Sequence, residues 1–246
     1  VELFNGTVRD NVARFTEAFP LAFADPGYVS PEKGRGDRAS RWRRAHLAWV
    51  AALGEGQGER LLAAGDVAAL VERTLEVERI VRTLHRDAEK TSLESGLADP
   101  ARARVFFAAL FELVAAAAPD QERFEALAAA VAALAPDAVP EARWPVVTLL
   151  PFVARPDVHM LLRPRFACEV SERLGLELAY AAEPGWPAYA SLLRSSGRLL
   201  EKLRPLGARD LVDVEAFMHA ATAKPPRPKA RPRPAGASTH AEGKAE

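Results

Sequence analysis

Residues 140–166 have the sequence PEARWPVVTLLPFVARPDVHMLLRPRF, and this stretch decides the fold. It is the most apolar part of a chain that is otherwise rich in charge. Its large apolar side chains are Trp144, Val146, Val147, Leu149, Leu150, Phe152, Val153, Val158, Met160, Leu161, Leu162 and Phe166. Prolines at positions 140, 145, 151, 156 and 164 are expected to cut it into short pieces. Because amphipathic segments flank it on both sides, we expect it to form the central core element.

The composition predicts a helical globular protein. The chain has 246 residues, enough to bury a sizeable core, and 49% of them are hydrophobic while 27% are charged. Alanine dominates, whereas tyrosine, isoleucine and threonine are scarce, which favours helix over strand. Basic and acidic residues are equal at 33 each, so the overall charge indicates no particular class of partner.

The sequence offers little for metal or cofactor chemistry. Cys168 is the only cysteine, which excludes a disulfide, a cysteine zinc site or an iron–sulfur cluster within one chain. The five histidines are scattered without zinc-like spacing, so we expect no metal and no cofactor. No apolar run approaches the roughly 20 residues that a membrane helix needs, and no secretory signal core is evident. The expected location is therefore the cytoplasm, with no membrane partner.

Hydrophobic periodicity predicts an all-α protein of about eight helices. Aspartates at positions 66, 99, 120 and 210 precede amphipathic runs and are expected to cap their first turns. A linker of proline, alanine and aspartate at residues 136–141 is expected to separate two contiguous lobes, residues 1–136 and residues 140–222. The segment LELAY, residues 176–180, alternates briefly, so an extended conformation is open there.

Residues 223–246 form a tail of different composition. From Lys224 the sequence KPPRPKARPRPAGASTHAEGKAE alternates proline with basic residues and contains six basic and two acidic residues, a net charge of +4. Such a segment cannot bury enough apolar surface to offset the entropy of ordering, so we predict a disordered tail. It could contact phosphate, bind a proline-recognising domain, or act only as a solubilising extension.

Asp157 and His159 are the polar residues that stand out in the apolar centre. Burying a carboxylate is costly unless it is paired or hydrogen-bonded. The structural interpretation is that Asp157 caps the helix that it precedes, while His159 packs with its ring nitrogens satisfied. A functional interpretation depends on a family resemblance.

The run from Trp144 to Gly175 resembles part of the helix–hairpin–helix DNA glycosylases. It has Asp157-Val158-His159 before Arg163, and Arg173-Leu174-Gly175 closes its last helix. In that family an Asp-x-His-x-x-Arg run follows the hairpin, and its aspartate helps to expel the damaged base. The whole chain is also similar to a bacterial family of helical proteins, a resemblance that implies no role.

The resemblance to the glycosylases implies that Asp157 and His159 are catalytic. The rim that would bind DNA consists of Arg155, Arg163 and Arg165. The glycine turn with which the family grips phosphate is replaced here by RWPVV, residues 143–147, and its lysine nucleophile and cluster cysteines have no counterpart. We therefore favour a non-enzymatic interaction module with an unknown protein partner, and we retain a DNA-binding or base-excising protein as the alternative.

Overall fold

A computed structural model describes residues 6–29, 37–82, 84, 89 and 91–222, and most of these residues are helical. The α-helices are α1 (Gly6–Ala18), α2 (Pro26–Val29), α3 (Asp37–Leu53), α4 (Gln57–Ala64), α5 (Val67–Val81), α6 (Thr91–Leu97), α7 (Pro100–Ala115), α8 (Gln121–Leu134), α9 (Pro140–Ala154), α10 (Pro164–Leu174), α11 (Trp186–Leu203) and α12 (Leu211–Thr222). The described part of the chain contains no strand. The all-α prediction is confirmed. The described residues contain twelve α-helices, more than the eight or so expected, and α2, α4 and α6 are short helices that the sequence did not predict.

The helix α9 is the central core element that the sequence predicts. Twelve of its fifteen residues are buried, including the fully enclosed side chains of Trp144 and Phe152. The helices α3, α7 and α8 pack against it. Trp42 of α3 meets Phe152 edge to face with ring centroids 5.0 Å apart, so the two helices are joined by an aromatic contact.

The expectation that prolines divide this stretch is wrong for two of them. Pro145 and Pro151 lie inside one continuous helix, whereas Pro140 and Pro164 occupy first turns, where a missing N–H costs nothing. An interior proline costs about 3 kcal/mol relative to alanine. Both interior prolines are buried, and the burial of nearly every side chain of α9 offsets that cost.

A second, equally buried helix lies at the other end of the sequence. Nine of the twelve residues of α12 are buried, and α1, α3, α10 and α11 pack around it. Phe217 of α12 also contacts Phe15 of α1, with ring centroids 5.6 Å apart. Because α3 packs on both α9 and α12, the first third of the chain contacts both buried helices. The division into two lobes stays a prediction.

Local signals at the helix ends agree with the sequence. The carboxylates of Asp66, Asp99 and Asp120 each accept backbone N–H groups in the first turn of the following helix. Residues 176–180 form neither helix nor strand. The predicted disordered tail, residues 223–246, lies outside the described residues. In the part of the chain that is described, no helix combines the length and apolarity needed to cross a membrane.

Candidate functional site

Asp157 lies on an exposed turn and is paired with Arg155. The helix α9 ends at Ala154, and residues 156–158 form a turn instead of starting a helix. The Arg155 guanidinium donates from Nε to Oδ1 at 2.9 Å and from Nη2 to Oδ2 at 2.8 Å. These two bonds hold the pKa of the Asp157 carboxyl below its usual value. The N-cap role predicted for Asp157 is therefore wrong, because no helix begins there.

Arg155 also ties this turn to a neighbouring helix. Its Nη1 donates to the carbonyl oxygens of Val114 and Ala116, each at 3.3 Å, at the C-terminal end of α7. A cation is favourable there because the last carbonyls of a helix lack intrahelical donors and carry partial negative charge. The guanidinium of Arg155 therefore donates to Asp157 and to the C-terminal end of α7.

His159 is fully buried two residues further on. Its Nδ1 lies 3.0 Å from the Tyr189 hydroxyl, which also accepts the backbone N–H of Met160 at 3.3 Å. The direction of the bond between Nδ1 and the hydroxyl follows the tautomer of the ring. Nε2 has no hydrogen-bond partner among the described residues, so the prediction that both ring nitrogens are satisfied is wrong for Nε2. Burial, aided by the charge of Arg155, lowers the pKa of His159 to about 4, although Asp157 and the backbone of Leu113 oppose the shift.

Arg163 points toward α12 and not toward Asp157. Its Nη2 donates to Glu215 Oε1 at 3.1 Å and also lies against His219. Its guanidinium carbon is 4.5 Å from the centre of the Phe166 ring, a cation–π contact. Arg165, one residue into α10, has an exposed side chain.

The predicted set is therefore divided in the structure. Asp157 and Arg155 form an ion pair at the end of α7. His159 is fully buried, and Arg163 belongs to a cluster on α12. The assignment of these residues as catalytic or DNA-binding stays a prediction. What the geometry provides is a surface ion pair and a buried neutral imidazole.

Sequence reasoning missed the most elaborate polar cluster, which surrounds Asp213 of α12. The Asp213 carboxylate is fully buried and accepts hydrogen bonds from the Tyr28 hydroxyl at 2.9 Å and from Arg43 at 3.0 Å. Arg209 donates its backbone N–H and two guanidinium nitrogens to the same carboxylate. Arg43 also forms a two-bond pair with Asp210 at 2.8 and 3.1 Å.

These donors keep the buried Asp213 charged. Burial by itself raises the pKa of the carboxyl, but the hydrogen bonds of Arg209 and the charge of Arg43 outweigh it and leave the pKa lowered. Burial also raises the pKa of the Tyr28 hydroxyl, and the neighbouring Asp213 carboxylate raises it further. The cluster is thus a set of fixed charges joined to a neutral tyrosine.

Glu215, two residues along α12, is the centre of a second buried cluster. Its Oε2 accepts the indole N–H of Trp42 at 3.1 Å, and its Oε1 faces both Arg163 at 3.1 Å and His219 Nε2 at 3.2 Å. The ring of His219 stacks on Phe166 with centroids 3.9 Å apart. Together the two carboxylates join α12 to α2, to α3, to Arg163 just before α10 and to the turn before α12.

The sequence held one signal for these clusters. In LVDVEAFMH, residues 211–219, two carboxylates interrupt a run that is otherwise apolar. A helix that is apolar on every side is buried, so charges within it must be paired or must serve chemistry. The partners Tyr28, Trp42 and Arg43 lie more than 160 residues away along the chain, so local pattern could not identify them.

An apolar pocket, partly open to solvent, lies where α10, α11 and α12 meet, and its free volume is about 10 Å³, roughly the space of one water molecule. Its lining includes both methionines of the chain, and Glu177 is the charged residue among its walls. The main apolar walls are Met160, Leu161, Phe166, Val170, Leu192 and Met218. Met160 and Met218 are almost fully buried, and methionine side chains adapt to differently shaped apolar groups, so an apolar side chain enters this pocket only when the two methionines move aside.

Comparison of the chain with protein-family models, with curated proteins and with solved structures found no match. Within the described ranges, no group of three or more His, Cys, Asp or Glu side chains could hold a metal ion. The functional argument therefore depends on the geometry of the pocket and of the polar clusters.

Proposed function

We propose that this protein is a non-enzymatic interaction module that binds an apolar side chain of a partner protein in the pocket between α10, α11 and α12. One observation carries the proposal: a small apolar pocket lined by two adaptable methionines reaches the surface, while the carboxylates of Asp157, Asp213 and Glu215 are held by cations outside it. A binding function needs concave apolar surface, whereas acid–base catalysis needs a titratable group that reaches a substrate.

The chemistry of the pocket defines the segment that fits it. Aliphatic and thioether walls at Met160, Val170 and Met218 favour an aliphatic or aromatic side chain. Glu177 stands at the wall with a largely exposed side chain, so a basic residue beside the apolar anchor would be favoured. The best ligand is therefore an extended or helical peptide with one large apolar residue next to lysine or arginine.

The ionisable groups give catalysis less support. Asp157 is held by Arg155, and the His159 ring is fully buried and neutral above about pH 4. Asp213 and Glu215 are buried within hydrogen-bonded clusters on α12. Each of these carboxylates is engaged by cations, which is typical of structural ion-pair networks.

Peptide selection against the full chain tests the proposal. A library of random peptides displayed on phage is selected on the wild type, and the enriched peptides are then measured against Ser171→Phe, which fills a half-buried position of the pocket wall. Burying an apolar side chain is worth about 1.5–3 kcal/mol, so we expect Ser171→Phe to weaken binding by about tenfold or more.

The matched control is Glu169→Phe, which places the same side chain on the exposed face of the same helix. It should leave peptide affinity unchanged, and both variants should keep the wild-type circular dichroism spectrum. Enrichment of peptides that bind both variants equally, or no enrichment at all, would contradict the proposed pocket.

The DNA-binding alternative has its own test. If Asp157, Arg163 and Arg165 serve DNA, the protein should bind duplexes containing base lesions with an affinity that falls steeply with salt, and Asp157→Asn should block base release. We expect neither lesion preference nor base release from the wild type. Release of a damaged base that Asp157→Asn abolishes would establish the alternative and overturn the non-enzymatic proposal.

A further inference from the structure

Residues 176–181 alternate in two ways that together indicate an extended, strand-like segment, although no second strand pairs with it in the described residues. The side chains of Leu176, Leu178 and Tyr180 pack against the core, whereas Glu177, Ala179 and Ala181 are exposed. The backbone bonds alternate as well, because Ser195 donates to the carbonyl of 177 at 2.8 Å, the N–H of 179 donates to Ser191 at 2.9 Å, and Trp144 donates to the carbonyl of 181 at 2.9 Å. A repeat of two is the period of a strand.

One edge of this strand is open. In the part of the chain that the structure describes, the backbone N–H and C=O groups of Leu178 and Tyr180 make no hydrogen bond. Backbone groups left unpaired away from water are rare because they cost about as much as a lost hydrogen bond. The groups of these two residues therefore face solvent and can accept a second strand.

The surroundings of the open edge are acidic. Burial raises the pKa of the Tyr180 hydroxyl, and the nearby Glu141 carboxylate and Cys168 thiol raise it further. Burial likewise raises the pKa of the Cys168 thiol, and the Glu172 carboxylate adds to that shift. Neither Glu141 nor Glu172 forms an ion pair within the described residues. Glu141 thus lies near the Tyr180 hydroxyl, and Glu172 lies near Cys168.

The basic tail has the matching pattern. Arg227, Lys229, Arg231 and Arg233 fall at odd positions, whereas Pro226, Pro228, Pro232 and Pro234 fall at even positions. In an extended chain the odd residues then direct all their N–H and C=O groups to one edge, and the prolines, which lack N–H, occupy the other edge. An extended segment of this sequence would therefore pair on one side only.

We propose that residues 227–233 of the tail add as an antiparallel strand to the open edge at Leu178 and Tyr180 of the same chain. In this register Lys229 lies opposite Tyr180, and Arg231 lies opposite Leu178. The two residues of each pair exchange two N–H···O=C hydrogen bonds, and their side chains lie on the same face of the two strands. The basic side chains then lie on the same side of the strand as the half-buried Tyr180 side chain, near Glu141.

The start of the tail is near enough to the open edge. The carbonyl of Thr222, the last residue of α12, accepts from Arg173 at 3.3 Å, and the N–H of Leu176 donates to Ser171 of the same helix, α10. Seven residues separate Thr222 from Lys229, and an extended chain of that length spans roughly 23 Å. Tyr180 is four residues beyond Leu176, roughly 13 Å along a strand. Residues 223–228 are therefore long enough to reach Tyr180, from which the following residues can run back toward Leu178 in the antiparallel direction.

Amide hydrogen exchange measured by NMR on the full chain tests the pairing. In the wild type we expect the amides of Leu178, Tyr180, Lys229 and Arg231 to exchange at least about fivefold more slowly than their intrinsic rates. The factor is modest because the tail is a tethered segment that leaves the edge part of the time. The double variant Lys229→Pro with Arg231→Pro removes the donors on the pairing edge, so Leu178 and Tyr180 should return to intrinsic rates.

Two controls separate strand pairing from charge attraction and from other occupants. The double variant Lys229→Gln with Arg231→Gln loses the same two charges but keeps the N–H groups, so it should retain part of the protection. Pro228→Ala with Pro232→Ala changes only the outer edge and should retain all of it. Equal protection in the proline and glutamine variants would overturn the proposal. So would wild-type protection that disappears on dilution, because the occupant would then be a second copy.

Discussion

Two aspartates show how the environment of a single residue decides its role. Asp157 is exposed, and its two-bond pair with Arg155 is screened by water, so it adds little to stability. Asp213 is fully buried and is surrounded by Tyr28, Arg43 and Arg209. A buried charge that loses its compensation is far more costly than an exposed one.

We therefore expect Asp213→Asn to lower the free energy of unfolding by about 3 kcal/mol, because the amide leaves the nearby arginines without that negative charge. Asp157→Asn should lower it by less than about 1 kcal/mol. Urea denaturation followed by circular dichroism measures both values. Similar losses in the two variants would show that the Asp213 cluster does not stabilise the fold.

His159 gives the protein a calculable sensitivity to acid. Its pKa is lowered to about 4 in the folded protein, against about 6.5 in an unfolded chain, so between those values only the unfolded state takes up the proton. Its contribution to stability is fully present above about pH 6.5 and is lost as the pH falls toward 4. The groups that face the ring are the Tyr189 hydroxyl, Arg155, Asp157 and the backbone of Leu113.

Between pH 6.5 and 4 we expect the free energy of unfolding of the wild type to fall by about 3 kcal/mol more than that of His159→Gln, which cannot take up a proton. Urea denaturation at several pH values measures the difference. Parallel pH profiles for the two proteins would show that the imidazole is accessible to water or protonated in the folded state.

At the scale of helices and turns, the sequence was most informative where a local rule acts alone. The aspartate caps of α5, α7 and α8 follow from residue type and position, and all three are confirmed. Pro145 and Pro151 were misjudged because tertiary burial overrides the helix-breaking tendency of proline. The LELAY segment was left open between conformations because its pairing partners are side chains on other helices.

Two glycines test how closely the helices pack. A Cβ at Gly58 of α4 would lie 2.3 Å from Cζ of Phe111, a buried side chain of α7, whereas a Cβ at Gly197 of α11 would meet nothing within 4 Å. Gly58→Ala should therefore destabilise the protein by about 1–3 kcal/mol through overpacking. Gly197→Ala should stabilise it by roughly 0.5–1 kcal/mol, because alanine favours helix.

Thermal or urea denaturation of the two alanine variants measures both changes in the free energy of unfolding, and each variant serves as the control for the other. Stabilisation by both substitutions would show that α4 and α7 are further apart than described here.

At the scale of the whole molecule, the sequence predicted the all-α class and the central position of α9. It could not predict that α12 is the other buried helix, because its two carboxylates resemble surface residues until their partners are known. Those partners come from α2, from α3, from Arg163 just before α10 and from the turn before α12, and their approach is a property of the complete fold. The pocket was missed for the same reason, since its walls come from three helices and the segments beside them.

The central claim is that this protein acts through binding at the apolar pocket. The chain has two methionines, Met160 and Met218, and both line that pocket. Protein labelled with ¹³C at the methionine methyl groups therefore gives two signals that both report on it. On titration with a peptide selected on the wild type, we expect both signals to shift and saturate, and Ser171→Phe to suppress the shifts. Saturable peptide binding that leaves both methyl signals unchanged would contradict the claim.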